Sequence, residues 1–342
     1  MNSSRRPLVP AFLFMSSRLS GFQIEYFSDP VFPQHSEQTI VRILYGARTE
    51  ASESGLELGL PPLDVPALCE HWTSDCIERR GESLGFRFVC FGSRMFAYAV
   101  FKEDSPDLEA LTQQVYRDLL RLAREQGYPW ILRVWNYFPD IVGPAGNVNR
   151  YQSFCEGRRR ALMEDEQGAG QSLPAVTTSG SFAPGFAVYF LSGKEPGQSL
   201  ENPRQTAPSD YPEHLGPHGP SFCRGVSHAA DGQVALYLSG TASITGHETQ
   251  HHGDAAAQAR EVLHNHAAVI EQARIEGASR PERLHDLPFE KIYLANPENL
   301  PQVQDEVRAI IGPDTPCYFL HSCLCRNDLL LEMESTIFDE PD

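Results

Sequence analysis

Ser239-Gly240-Thr241-Ala242-Ser243-Ile244-Thr245-Gly246-His247 stands between an apolar run, Val234-Ala235-Leu236-Tyr237-Leu238, and a long amphipathic stretch that reaches Glu276. The chain closes on Asp328-Leu329-Leu330-Leu331-Glu332-Met333-Glu334-Ser335. This order predicts a strand, a Ser-Gly loop, one long helix capped by Asp254, and a terminal strand. Residues two apart on a strand point to one face, so Glu332 and Glu334 stand side by side. Leu331, Met333 and the leucines before them make that strand internal. Two carboxylates buried together need either a cation or a chemical task, because burial strips both of water.

Working outward, the same coarse layout precedes it. Residues 86–91 and 95–101 flank Gly92-Ser93-Arg94 and read as a hairpin. A helix follows, capped by Asp107, with Leu108, Leu111, Val115, Leu119, Leu120 and Leu122 as its apolar stripe. Next come a strand over 130–136, a helix over about 150–164, a Gly/Ser/Pro-rich loop through Pro184, and a strand over 186–191. After a Pro-rich connection from about 192 to 219 the pattern recurs, with strands at 291–294, 317–320 and 329–335 and a helix over 300–311. The expected fold class is α+β, mixed α/β, with two β-α-β halves packed around a cleft. The expected division is 1–195, a connection over 196–219, and 220–342.

At 342 residues and 41% hydrophobic, the chain can bury a sizeable core. Its formal net charge of −17 excludes nucleic acid and anionic membrane as partners, since both would repel it. An anionic small molecule then needs a local arginine cluster. Only Lys102, Lys194 and Lys291 are lysines, so nearly every cation is a guanidinium, which grips carboxylates in bidentate fashion. Eight cysteines without a C-x-x-C pair indicate reduced thiols and a cytoplasmic location; Cys323 and Cys325 are read as sharing one strand face, where they cannot easily pair. The N-terminal Arg5-Arg6 with its short apolar run, broken by Pro10, is too weak for an export signal, and no apolar run is long enough to span a bilayer.

One motif misleads. His247-Glu248-Thr249-Gln250-His251 matches H-E-x-x-H, but two histidines four apart bind one zinc only on a helix. Gly246 and Gly253 bracket the segment and Asp254 caps the helix after it, so the match is placed on the loop and no metal is expected. His264 and His266 lie in that helix on different faces and are read as structural or solvent-facing.

The Ser-Gly loop, long helix and acidic terminal strand resemble the YjgF-type fold of the reactive-intermediate deaminases. With Asn149-Arg150-Tyr151-Gln152-Ser153-Phe154 and Ser221-Phe222-Cys223-Arg224 added, nearly the whole chain is similar to the chorismatase family. The resemblance implies two YjgF-like halves, an active site lined by both, and cleavage of chorismate without a cofactor. Chorismate is a small dianion and calls for arginines on opposite walls of a pocket. Arg150, Arg158, Arg159 and Arg160 cluster near one helix, and Arg158 falls two turns after Tyr151 on the same face. A run of three arginines equally well coats a solvated face. The family pattern selects Tyr151 with Arg158, and Tyr211 with Arg224, as the two carboxylate-binding pairs.

Breaking an enol ether requires a carboxylic acid still protonated near neutral pH, which a buried Glu beside a second carboxylate supplies. Of Glu332 and Glu334, the spacing from Cys325 in the family pattern favours Glu332 as general acid. Gly240 and Cys325 stand where the 3-hydroxybenzoate-forming type has a Gly and a Cys: the glycine is read as leaving room for the ring, the thiol as a proton shuttle or the wall of a water-poor pocket. The expected products are pyruvate and 3-hydroxybenzoate, with some 4-hydroxybenzoate, from a monomer. The alternatives are hydrolysis to a dihydroxycyclohexadiene carboxylate, and a YjgF-type deaminase or small-carboxylate binder. A plain YjgF-type subunit is much shorter and builds its cleft by trimerising, whereas this chain is long enough to supply both walls.

Overall fold

The computed structural model describes residues 16–339 apart from positions 20–21, 29–31, 104–106, 166–171, 217, 278–283 and 285–286; the Arg5-Arg6 segment lies outside the described residues. Two six-stranded sheets, and two four-stranded sheets that continue each other as a third, carry the chain. The first holds β1 (Ser16–Leu19), β2 (Phe22–Phe27), β3 (Thr39–Tyr45), β4 (Glu50–Ser52), β5 (Gly55–Leu58) and β6 (Leu68–Ser74), in the order β1-β2-β6-β3-β5-β4. In β2 the side chains of Phe22, Ile24 and Tyr26 are buried while Gln23 and Glu25 are not, the alternation of a strand with one covered face. No element was expected before residue 86, because polar and charged residues dilute the pattern there.

The second sheet belongs to the first of two repeats. It runs β7 (Ile77–Ser83), β8 (Phe86–Phe91), β9 (Arg94–Phe101), α1 (Leu108–Gln126), β10 (Trp130–Pro139), the short pair β11 (Pro144–Ala145) and β12 (Val148–Asn149), α2 (Arg150–Glu164), β13 (Ala175–Ser181) and β14 (Phe186–Gly193). Asp107 caps α1 by accepting from Ala110 N at 2.9 Å, and Asn149 with Gln152 forms a capping box that starts α2. The strand order is β13-β10-β14-β9-β8-β7, with β10 and β13 parallel.

The second repeat follows the connection. It runs β15 (Gln198–Leu200), β16 (Gly225–Ala230), β17 (Gln233–Leu238), β18 (Thr241–Ala242), the hairpin β19 (Ile244–Thr245) and β20 (Glu248–Thr249), α3 (Ala255–Ile275), β21 (Glu290–Leu294), α4 (Leu300–Ile311), β22 (Cys317–His321), β23 (Leu331–Glu334) and β24 (Thr336–Asp339). Ser239-Gly240 interrupts one strand line into β17 and β18, Ser335 interrupts the returning line into β23 and β24, and Leu238 N donates to Ser335 O at 3.0 Å across the break. With β17 paired to β24 and β18 to β23, the order β16, β17/β18, β24/β23, β21, β22 repeats that of the second sheet. Here too the two strands that follow the helices, β21 and β22, are parallel.

The first sheet covers the inner faces of both repeats. Trp72 meets Trp135 edge-on at 6.0 Å, and Tyr26 stacks on Tyr318 at 4.2 Å, so one aromatic core is shared by all three sheets. Two sequence expectations need correction. The loop expected through Pro184 contains β13, Ala-Val-Thr-Thr-Ser-Gly-Ser, a wholly buried strand whose small polar residues hide its character. Cys323 and Cys325 lie in the irregular segment between β22 and β23 rather than on a strand, and all eight cysteines are free. Among the described residues no helix is long and apolar enough to cross a membrane.

Candidate active site

A cavity of about 520 Å³ opens between the two repeats. The first repeat lines it with Tyr151 and Cys155 of α2 and Val176 and Thr178 of β13; the second adds Tyr211 and Phe222 from the connection, Arg224, Gly240, Cys325, Arg326 and Glu332. Strand β13 is stitched across the gap, which fixes both walls. Val176 N donates to Ser239 Oγ at 3.0 Å, Gly240 N to Val176 O at 3.1 Å, and Gly180 N to Cys323 O at 2.7 Å.

Glu332 and Glu334 are both buried on β23, at 5% and 3% exposure, yet their surroundings separate them. Arg133 Nη2 lies 2.7 Å and Lys291 Nζ 2.9 Å from the Glu334 carboxylate, Trp135 Nε1 donates to it at 2.9 Å, and Thr177 hydrogen-bonds it as well. Burial alone would raise its pKa, but Lys291 and Arg133 outweigh that and hold Glu334 at about 2. Glu332 faces the cavity, and its Oε1 has no hydrogen-bond partner. Burial first, and then the anion of Glu334, push Glu332 from 4.5 to about 8 against the pull of Arg133 and Arg224. One carboxyl is therefore a fixed anion and its neighbour a protonated acid at neutral pH.

Gly240 is where it is because of that acid. A Cβ there would stand 2.0 Å from Glu332 Oε1 and 3.0 Å from Thr177 Oγ1. The room expected for a substrate ring is taken by the Glu332 carboxyl itself. Cys325 lines the same wall, and burial, with Glu332 adding to it, pushes its thiol up to about 12. A thiol raised in this way favours its neutral form.

The arginines divide clearly. Arg224, 3% exposed, donates from Nη2 to Tyr211 Oη at 2.9 Å and Thr206 O at 3.1 Å, its Nε has no partner, and among the described residues it makes no ion pair. Arg158 does not line the cavity. It sits behind the wall formed by Tyr151 and Cys155, 1% exposed, with its guanidinium 5.1 Å from the Phe154 ring and its Nε and Nη1 without partners. Arg150 pairs with Glu103, and Arg159 and Arg160 pair with Glu156, so those three serve the surface of α2. Sequence reasoning missed Arg326, which lines the cavity, places its guanidinium 5.4 Å from the Tyr211 ring and donates to His247 O at 2.9 Å. It also missed Arg133 and Thr177, since neither stands in a recognisable motif.

His247 to His251 spans the hairpin β19–β20 rather than a helix, with His251 at a φ of +58°, so the two histidines lack the helical spacing a zinc pair requires. The helix begins after Asp254, which accepts from Ala257 N at 2.9 Å. His266 is fully buried and bonded through Nδ1 to Glu290 at 3.0 Å, a structural pair.

Comparison with known proteins agrees with this arrangement. Residues 70–192 match the family described as Chorismatase FkbO/Hyg5-like, N-terminal. A 3-hydroxybenzoate synthase of Streptomyces hygroscopicus is 33% identical over 290 residues, covering 82% of this chain and 85% of the relative. A chorismatase of the same organism is 31% identical over 279 residues, covering 80% of each. A chorismatase crystal structure superposes with a TM-score of 0.84 at 28% identity, covering 94% of this chain and all of the other. A cleft built by two β-α-β repeats, a fold shared over nearly its full length and identity at a third of the 290 aligned positions make this chain an enzyme of the chorismatase family.

Proposed function

We propose that the enzyme cleaves chorismate to pyruvate and 3-hydroxybenzoate, with Glu332 as general acid. The observation that carries this reading is the buried Glu332 carboxyl, its Oε1 without a hydrogen-bond partner, facing a cavity whose wall holds Arg224, which makes no ion pair among the described residues. One substrate carboxylate lies against Arg224 and Tyr211. The other faces Tyr151, with the buried charge of Arg158 behind it. Glu332 delivers its proton to the terminal methylene carbon of the enolpyruvyl ether, which becomes the methyl group of pyruvate. The ring-to-oxygen bond then breaks towards the ether oxygen, which becomes the keto group, while the neighbouring ring hydroxyl oxygen bonds to the vacated carbon and its proton returns to Glu332. The epoxide so formed opens at the carbon the oxygen came from, and the hydrogen of the carbon now bearing oxygen leaves as a proton while the oxygen takes one up, which gives the aromatic 3-hydroxy ring. Hydroxybenzoate and pyruvate together hold the atoms of chorismate, so no water is consumed and no step needs a cofactor.

Two further points favour aromatisation over hydrolysis. A relative named 3-hydroxybenzoate synthase is identical at a third of the aligned positions, and Gly240 with Cys325 fits the pattern of the 3-hydroxybenzoate-forming type. Cys325 contributes as a neutral thiol on a wall poor in water. Incubation of the purified protein with chorismate, followed by chromatography and mass analysis, tests the reading. Equimolar pyruvate and 3-hydroxybenzoate is the expected result; a product one water heavier identifies the hydrolytic route, and unconsumed chorismate contradicts both.

A further inference from the structure

Glu334 is one member of an ion chain that leaves the cavity and crosses the molecule. Lys291, 2.9 Å from Glu334, also pairs with Glu70 on β6 of the first sheet. Glu70 is otherwise held by neutral donors, Tyr45 Oη at 2.5 Å and Trp72 Nε1 at 3.1 Å. Arg133, Glu334, Lys291 and Glu70 are each no more than 4% exposed. Two cations and two anions make the chain neutral as it stands. Ionising Glu332 beside it would add an anion that nothing in the chain compensates.

We infer that this balanced chain, through Glu70 in the N-terminal sheet, adds to burial in keeping the proton on the Glu332 carboxyl, so that Glu70 is a positioning residue for an acid it never touches. The inference rests on Glu332 being the acid, as proposed above. The groups that face Glu332 are Glu334 on its own strand, Arg133 on β10, Tyr293 opposite it on β21, Arg224 and Cys325. Those around Glu70 are Tyr26, Tyr45, Cys69, Tyr189, Lys291 and Tyr318. Of all these, Arg224 is the one cation outside the chain, and in the proposed complex a substrate carboxylate neutralises it. A unit charge buried on the order of 10 Å away, at an effective dielectric near 20, moves a pKa by about one unit. Lys291, paired with both Glu70 and Glu334, links the N-terminal sheet to the strand that carries Glu332, while Glu70 itself stands outside the cavity lining.

The test reads the ionisation of Glu332 directly and does not need turnover. Infrared difference titration follows the carboxylic acid C=O band that disappears in Glu332→Gln. In Glu70→Gln the chain carries an excess cation, and the Glu332 midpoint should fall by about one pH unit. In Glu70→Gln/Lys291→Gln the chain is neutral again, and the midpoint should return to the wild-type value. A structural defect would not be reversed by a second buried substitution. An unmoved midpoint in Glu70→Gln, or a double variant still displaced, overturns the inference. Should Glu70→Gln not fold, Lys291→Gln decides: its excess anion should raise the midpoint by a similar amount, and an unmoved value overturns the inference. Failure of the chorismate reading would instead appear as absent turnover in the wild type, which leaves these titrations readable.

Discussion

At the scale of single residues, the proposed chemistry rests on two neighbouring glutamates whose surroundings push their acidities in opposite directions. Arg224 is buried and makes no ion pair among the described residues, so Arg224→Ala removes the charge a substrate carboxylate would meet; kcat/KM with chorismate should fall by about 2–5 kcal/mol worth of binding, and Arg224→Lys should recover little of it. Near-normal efficiency in the alanine variant would take Arg224 out of the site. Gly240→Ala drives a methyl group into the Glu332 carboxyl, which must swing away. Pyruvate release and aromatisation should then fall together, by about 10²-fold or more if the acid loses its alignment. A change in product ratio at undiminished turnover would show that Gly240 governs the ring and not the acid. Much of this was legible in the sequence: the alternation around Glu332 and Glu334 placed both on one buried face. Their division of labour was not, because Arg133 lies about 200 positions away and reaches Glu334 only through the fold.

At the scale of elements, the legible parts were those with strong local signals. Helices α1 and α3 begin after Asp107 and Asp254, the caps the sequence predicts, whereas the capping box of Asn149 with Gln152 that starts α2 was not read from the sequence. Strand β13 was missed for the opposite reason. Its Thr, Ser and Gly residues are selected by the cavity and by the stitching to Ser239, Gly240 and Cys323, and they leave no apolar alternation. The N-terminal sheet was missed because its pairings run between distant segments, β2 and β3 both lying against β6. Arg158 illustrates the limit of helical-face arguments, since it shares a face of α2 with Tyr151 but lies behind the lining. Arg158→Met should keep volume while removing charge. The expected outcome is a raised KM with the fold intact, and an unchanged KM would confine Arg158 to packing against Phe154 and Tyr116.

At the scale of the whole molecule, the site is a local cost that the rest of the fold carries. Glu332 has a folded-state pKa raised from 4.5 to about 8, so the folded protein holds a proton that the unfolded chain has released between those values. Stability therefore declines as pH rises from about 4.5 to about 8, and Glu332→Gln should remove that decline and leave the variant at least as stable as wild type at pH 8. Glu334 works in the opposite sense. Its pKa is held at about 2, so its contribution is complete above 4.5 and lost as pH falls towards 2, and Glu334→Gln should destabilise the protein at neutral pH by leaving Lys291 and Arg133 with one anion between them. Denaturant unfolding of both variants across pH checks these signs. Because one chain supplies both walls of the cavity, a monomer holds a complete site, and sedimentation should show activity in the monomeric fraction. The most direct test of the central claim is single-turnover cleavage of chorismate by wild type and Glu332→Gln across pH. The wild-type rate should hold at neutral pH and fall above about 8, with the variant slower by about 10²–10⁴-fold while still binding substrate. A Glu332→Gln rate within a few-fold of wild type would contradict the account.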